Sequence, residues 1–147
     1  MSKLLLVDDD ANSLASLSRA FRLAGHEAVL PVSDDVRHSH ASPRSAVGFL
    51  IHAAIIDGEK VGLSRNLSMP GLSVTVGQQI DALRKIGGDK VVKRIRREPD
   101  PFIEKIVAGW PRDFDAKRAR SLGFTSEQSF EDILKIHIED ELGGKIA

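Results

Sequence analysis

The chain has 147 residues, of which 41% are hydrophobic, so it is long enough to bury one core of ordinary size. Its 21 basic and 21 acidic residues cancel, and no net field favours nucleic acid or an anionic membrane as a partner. The absence of cysteine excludes disulfides, thiolate catalysis and cysteine-based metal sites. No apolar run has the length of a signal sequence or a membrane span, so we expect a cytoplasmic protein without nucleic-acid or membrane partners.

The first thirty residues predict a β-α-β unit. The apolar run from Leu4 to Val7 ends at three acids, as buried parallel strands often do. A helix is indicated next, because apolar residues recur at helical spacing before Gly25: Leu14, Leu17, Phe21 and Ala24. Glu27 to Leu30 then predicts a second strand, and such a unit normally builds a parallel sheet.

A polar stretch from Pro31 to Ser42 lacks apolar periodicity and predicts a boundary. We therefore divide the chain into a fragment of residues 1–33 and a domain of residues 34–147. Ser42 and Pro43 predict the start of a helix, because serine caps helices and proline is tolerated at the first helical position. The helix is expected to end at Asp57.

The middle of the chain predicts short strands around one helix. Arg65 to Met69 and Lys90 to Ile95 are the strand candidates. Thr75 with Gln78 three residues later matches a capping box, which opens a helix that should stop at Gly87 and Gly88.

Two further helices are expected near the C-terminus. Asp113 is predicted to cap a helix that closes at Gly123, and Thr125 with Gln128 predicts a second capping box before the last helix. Gly143 is the predicted end of that helix.

The segment from Lys3 to Leu14, with the helix after it, resembles the start of a response-regulator receiver domain. In that family the adjacent acids at the end of the first strand help to hold Mg²⁺ beside a phosphorylated aspartate, so the resemblance implies this role for Asp8 and Asp9. Asp57 is the candidate phosphoacceptor, but a helix over Ser42 to Ile56 would place it at a helix end. The later hydroxyl residue and Lys-Pro pair of the family have no match.

Three other blocks resemble consecutive parts of extended short-chain dehydrogenase/reductases of the D-erythronate dehydrogenase type, in the NAD-dependent epimerase/dehydratase superfamily. They cover residues 40–54, 66–77 and 109–124. The resemblance implies that residues 34–147 form the C-terminal substrate domain, which packs against a nucleotide-binding domain in complete members, and that the substrate is a small sugar acid. The predicted fold class is thus α/β, with a partial parallel sheet joined to an α+β substrate domain.

Two motifs of that family are missing. Its members bind NAD through a glycine-rich turn after the first strand, and their catalytic acid/base is the tyrosine of a Tyr-x-x-x-Lys helix. This sequence has no such glycine pattern and no tyrosine. We therefore expect no catalytic residue and no cofactor for this chain alone. A degenerate receiver that acts as a signalling or protein-interaction module is the alternative function.

The candidate binding residues are three arginines, because a guanidinium can grip a carboxylate with two parallel hydrogen bonds. Arg44 lies just inside a predicted helix, where a solvated side chain is the alternative. Arg97 and Arg112 are implied by the resemblance, since an arginine near Trp110 commonly faces the substrate; surface salt bridges are the alternative. His38 and His40 have no further ligands beside them, so no metal site is expected. Apolar surface without its partner domain predicts self-association.

Overall fold

The structure is a computed structural model that describes residues 28–146. In this range the strands are β1 (Ala28–Leu30), β2 (Arg37–His40), β3 (Leu72–Thr75) and β4 (Ile95–Arg97). The helices of the same range are α1 (Pro43–Ile55), α2 (Gly58–Val61), α3 (Val76–Val92), α4 (Pro101–Val107), α5 (Lys117–Ser121) and α6 (Phe130–Leu142). None of these helices is long and apolar enough to cross a membrane.

The four strands form two small sheets. β1 pairs with β4 in parallel, with Leu30 opposite Arg97. β2 pairs with β3 in the antiparallel sense, with His40 opposite Leu72. This arrangement of helices with a small parallel sheet confirms the predicted α/β class. The proposed strand and helix before residue 28, and the acidic pair Asp8 and Asp9, lie outside the described residues.

The core lies where α3 packs on the parallel strands. Val32, Val76, Ile80 and Val92 form its buried cluster, and partly buried Leu30 and Ile95 pack against it. These apolar side chains lose contact with water together, which is the main favourable term in folding. Val32 comes before the predicted boundary at residue 33, yet it is packed with residues of α3. The described residues on the two sides of that boundary therefore share one core.

Helix α1 begins as predicted. The Ser42 hydroxyl accepts a hydrogen bond from the Ser45 amide, and Pro43 occupies the first helical position. The helix has no buried residue, and four of its apolar side chains are largely exposed: Val47 (56%), Leu50 (73%), Ile51 (59%) and Ile55 (76%). They recur at helical spacing and form one surface, which we call the α1 apolar face.

Helix α3 begins with the predicted capping box. The Thr75 hydroxyl accepts from the Gln78 amide at 3.1 Å, and the Gln78 side chain accepts from the Thr75 amide at 2.8 Å. The predicted stop is only partly right. Gly88 has a φ of 74°, which interrupts the helical backbone, but a further turn follows and carries α3 to Val92. Lys90 is therefore helical, and the predicted strand is shorter and begins at Ile95.

Three other sequence predictions need correction. Arg65 to Met69 forms no strand. The last helix is capped by Ser129, whose hydroxyl accepts from the Asp132 amide at 3.2 Å, and not by Thr125. The helix predicted after Asp113 begins only at Lys117, because the Asp113 carboxylate accepts from the Phe114 amide and caps no helix. The ends at Gly123 and Gly143 are confirmed, with φ angles of 91° and 60°.

Candidate functional site

Arg97 stands at the C-terminal end of β4 and forms a two-bond ion pair with Asp34. Its Nε donates to Oδ1 and its Nη2 donates to Oδ2, each at 2.8 Å. The hydrogen bonds from Arg97 hold the pKa of the Asp34 carboxyl below its usual value. Both side chains remain 44–45% exposed, so a solute can reach the guanidinium.

Arg112 lies in the loop between α4 and α5, and its side chain is exposed. Its backbone carbonyl accepts a hydrogen bond of 2.6 Å from the Ser73 hydroxyl, which fixes this part of the loop beside β3. Ser73 comes just before α3, and Gly77, in the first turn of α3, donates its amide to the Asp34 carbonyl at 2.8 Å. The segments that carry Arg112 and the partner of Arg97 are thus anchored to the same strand-helix junction.

Arg44 is anchored elsewhere. Its guanidinium donates to the Asp140 carboxylate at 2.5 and 3.2 Å and to Glu139 at 3.1 Å, so it ties the start of α1 to the last turn of α6. These two acids raise its pKa further above the usual value. The structure does not join Arg44 to the junction that anchors the segments of Arg112 and Asp34.

The β3-α3 junction does not fit a dinucleotide. A pyrophosphate binds where amide groups at the start of a helix are free to donate. Here the amides of Val76 and Gly77 donate to the carbonyls of Val36 and Asp34, and the Gln78 amide donates to Thr75. The amides that would bind phosphate at this strand-helix turn are occupied, so NAD is not held here by these residues.

His38 and His40 lie in the polar stretch that was predicted to be a boundary, but they share one face of β2, and their ring centroids are 4.1 Å apart. Trp110 meets His38 edge-on, and Phe130 meets His40 in the same way. Burial and the neighbouring His38 lower the pKa of His40 to about 4. No group of three metal-ligating side chains occurs in residues 28–146. No local pattern indicated these ring contacts, because their partners are far apart along the chain.

Glu127 joins the loop before α6 to the start of α1. Its carboxylate accepts hydrogen bonds from the Ser42 hydroxyl, from the Ser42 amide at 3.2 Å and from the Ser45 hydroxyl at 2.7 Å. Ser42 is fully buried. A cavity of about 310 Å³ lies beside this contact, lined by Phe49, His52, Phe124 and Thr125 among others. All buried side-chain polar atoms around Glu127 and Ser42 are hydrogen-bonded, so we interpret this cluster as structural.

Arg118 is a second structural residue that the sequence did not indicate. Its Nη2 donates to the carbonyls of Val61 and Ser64, each at 2.6 Å, and its Nη1 donates to the Asn66 carbonyl at 3.2 Å. These bonds hold the segment where a strand was predicted. Within the predicted strand, the Asn66 carbonyl is thus bound by a side chain and not by a strand partner.

Asp57 is not at the end of a strand. It is the N-cap of α2, and its carboxylate accepts from the Glu59 amide at 2.9 Å. This is the polar helix terminus that the helical interpretation predicted, and it does not favour a phosphoacceptor.

Comparison with known proteins places this geometry in context. A D-erythronate dehydrogenase of Cupriavidus necator is 38% identical over 130 residues, which are 88% of this chain and 40% of the relative. One from Haemophilus influenzae is 33% identical over 132 residues, 90% of this chain and 42% of the relative. The solved nucleoside-diphosphate-sugar epimerase of Agrobacterium tumefaciens is 58% identical with a TM-score of 0.83, over 97% of this chain and 42% of its own. The fold thus matches part of this epimerase.

The chain spans about 40% of the length of the curated relatives it matches. A match of 130 residues is longer than residues 34–147, so it also includes residues before the predicted boundary. No family model matches the chain, and the receiver resemblance gains no support from these comparisons. Whether residues 1–33 form a separate unit stays a prediction.

Proposed function

We propose that this chain is the C-terminal, substrate-binding portion of an NAD-dependent dehydrogenase or epimerase of small sugar acids such as D-erythronate, and that it does not turn over alone. The match with two D-erythronate dehydrogenases along about nine tenths of the chain, but about two fifths of theirs, carries the proposal. NAD belongs to the complete enzyme, because the family resemblance implies it.

Two features of this chain support the proposed absence of turnover. The sequence has no tyrosine to move the proton in the family's way. The strand-helix turn at β3 and α3 has its first amides bonded to Asp34, Val36 and Thr75, so it cannot take a pyrophosphate. In our proposal, another part of the enzyme supplies cofactor binding and proton transfer.

Arg97 and Arg112 are the residues that we assign to the substrate carboxylate. Both are exposed. Arg112 belongs to a segment anchored at the β3-α3 junction, and Arg97 is bonded to Asp34, whose segment is anchored at the same junction. A guanidinium recognises a carboxylate through parallel N–H donors and stays charged at any physiological pH. Arg44 is a weaker candidate, because Glu139 and Asp140 already occupy its guanidinium.

The α1 apolar face supports the presence of a partner surface. Its four side chains are 56–76% exposed and lie on one side of a helix that buries none of its residues. A contiguous apolar patch of this kind marks an interaction site on a soluble protein. In our proposal the nucleotide-binding half covers this face.

A chimera tests the proposal. The matched segment of the Cupriavidus necator dehydrogenase is replaced by this chain, and NADH formation from D-erythronate is followed by absorbance at saturating NAD. We expect the chimera to oxidise D-erythronate, and we expect this chain alone to form no NADH, because it lacks the cofactor and proton-transfer groups.

Two variants of the chimera test the arginines, one at the proposed site and one as its control. The double variant Arg97→Lys/Arg112→Lys keeps both charges but loses the forked donors, so kcat/KM should fall about a hundredfold. Arg120→Lys on α5 changes another exposed arginine and should have little effect. A folded chimera without D-erythronate oxidation, or robust NADH formation by this chain alone, would contradict the proposal.

A further inference from the structure

The ion pair of Arg97 and Asp34 uses only one edge of the guanidinium. The bonds run from Nε and Nη2, each at 2.8 Å, so Asp34 binds the side edge of the group. Arginine has five N–H donors, and this pair takes two of them. Both hydrogens of Nη1 and one of Nη2 remain, and the end edge formed by Nη1 and Nη2 can bind a second carboxylate through two parallel bonds.

Asp34 itself is fixed by the backbone of α3. Its carbonyl accepts from the Gly77 amide at 2.8 Å, and the Val36 carbonyl accepts from the Val76 amide at 2.9 Å. The approach is close: a Cβ added to Gly77 would lie 3.3 Å from both Cβ and O of Asp34. The carboxylate thus projects from a rigid position, whereas a free arginine side chain has many rotamers to lose on binding.

The charges around the pair leave this edge available. Asp81, one helical turn after Gly77, is the other carboxylate whose charge acts on Arg97, and it also raises the pKa of that guanidinium. Asp81 is itself bonded to Arg84 at 2.6 Å, and no hydrogen bond between Asp81 and Arg97 is present among the described residues. Asp34 is therefore the residue that orients the guanidinium, and Asp81 contributes only at a distance.

We propose that Asp34 is a positioning residue, which holds the side edge of Arg97 so that the end edge is presented to the carboxylate of a sugar-acid substrate. This inference rests on the proposed function. It adds a residue that no sequence motif indicated, 63 positions before its partner. A preoriented fork binds a carboxylate with less loss of side-chain entropy than a mobile one.

The test is a titration of the complete chain with D-erythronate, followed by NMR at the side-chain Nε–Hε resonances of arginine. Assignment of Arg97 uses the Arg97→Lys variant, in which its resonance disappears. In the unchanged protein we expect a saturable shift of the Arg97 resonance. Asp34→Asn keeps the size of the side chain but loses its charge, so the dissociation constant should rise about tenfold.

Asp81→Asn is the matched control, because it removes the other carboxylate near Arg97 without touching the side-edge pair. Its dissociation constant should change by less than about twofold. Amide spectra of both variants check that the fold is intact. Should Asp34→Asn disturb the fold, Arg97→Lys decides the matter instead, with binding followed at the backbone amide resonances. Retention of tight binding by that variant would overturn the inference, because Asp34 would then orient a group that the ligand does not need.

Three other results would also overturn it. Unchanged or tighter binding in Asp34→Asn would show that Asp34 is neutral or competes with the ligand. An equal loss of affinity in Asp81→Asn would show that the effect comes from net charge and not from orientation of Arg97. Saturable shifts confined to the Arg112 resonance would show that the substrate carboxylate binds Arg112 and not Arg97. In these cases binding persists and the proposed function stands. An unchanged protein without any response to D-erythronate would count against both.

Discussion

The surroundings of His40 show how a single side chain can link pH to the stability of this fold. Alternate residues of a strand share one face, so His38 and His40 pack against each other on β2. Gln79 places its Nε2 at 3.0 Å from Nε2 of His40, where a neutral ring can accept a hydrogen bond and a charged ring cannot. Protonation of His40 would therefore cost both burial and this bond.

We predict that the protein loses stability as the pH falls from about 6.5 to about 4. The folded state lowers the pKa of His40, so in this window the unfolded chain binds a proton that the folded chain excludes, and each step down in pH favours unfolding. Above the window His40 is neutral in both the folded and the unfolded state, so the protein has its full stability there. Because the ring is only half-buried, we expect about 1 kcal/mol less unfolding free energy at about pH 5 than at about pH 7.5.

Urea unfolding at the two pH values measures the effect. His40→Phe removes the titrating group and should reduce the pH dependence, whereas His137→Gln on α6 should leave it in place. An equal dependence in His40→Phe would mean that other groups are responsible.

Single-residue contacts were the hardest to anticipate from the sequence. Arg97 could be chosen from a resemblance, but its partner Asp34 could not, since the pair depends on β1 and β4 lying side by side. Trp110 is 43% exposed and lies beside His38, a contact that no local pattern indicated. Tertiary packing decides such contacts, and local patterns do not contain that information.

Among the elements, α3 has the start that local chemistry specifies most completely. Its first turn is closed by the reciprocal bonds of Thr75 and Gln78, and the following residues Val76 and Ile80 are buried at 7% and 5% exposure. The cap thus fixes the helix that contributes most of the buried cluster.

We predict that Thr75→Ala lowers the free energy of unfolding by about 1 kcal/mol, because an orphan amide at the start of α3 loses its acceptor. Gln78→Ala should cost less, and the double variant should cost less than the sum, since the two bonds form one unit. Denaturant unfolding of the three variants gives the coupling. Thr125→Ala, at the predicted cap that the structure does not form, is the control and should be nearly neutral.

Elements with local signals were predictable, and those without were not. The starts of α1 and α3 and the closing glycines of α5 and α6 follow from residue chemistry at one place in the chain. The predicted strand at Arg65 to Met69 is wrong, and Arg118, more than fifty residues later, binds the Asn66 carbonyl within that segment and the Ser64 carbonyl just before it. The Thr125 cap failed because Ser129, followed by Asp132 at the third helical position, offers a competing cap.

At the scale of the whole molecule, the α1 apolar face is an exposed apolar surface that a partner could cover. No other part of the described residues 28–146 covers this face. The net charge of zero provides little electrostatic repulsion between two copies of the chain. We therefore predict that the isolated chain self-associates through this face.

The double variant Leu50→Glu/Ile55→Glu should shift the chain towards monomer, because two carboxylates on the face cannot be buried without a large cost. Both positions are more than 70% exposed, so the fold should be unaffected. Light scattering coupled to size-exclusion chromatography, at several concentrations, measures the mass. Phe102→Glu on α4 changes another exposed apolar residue, 69% exposed, and is the matched control. A wild-type chain that is monomeric throughout would show that the face does not associate.

The pairing of strands in the two sheets decides whether the chain would stay together if its backbone were cut. Each joins a strand before the loop of residues 62–71 to a strand after it: β1 to β4, and β2 to β3. Arg118 adds a clamp from the second side to carbonyls at the beginning of that loop. A peptide bond cut after Asn66 would therefore leave two pieces that remain bound to each other, so this loop is a natural place to divide the chain into a split pair.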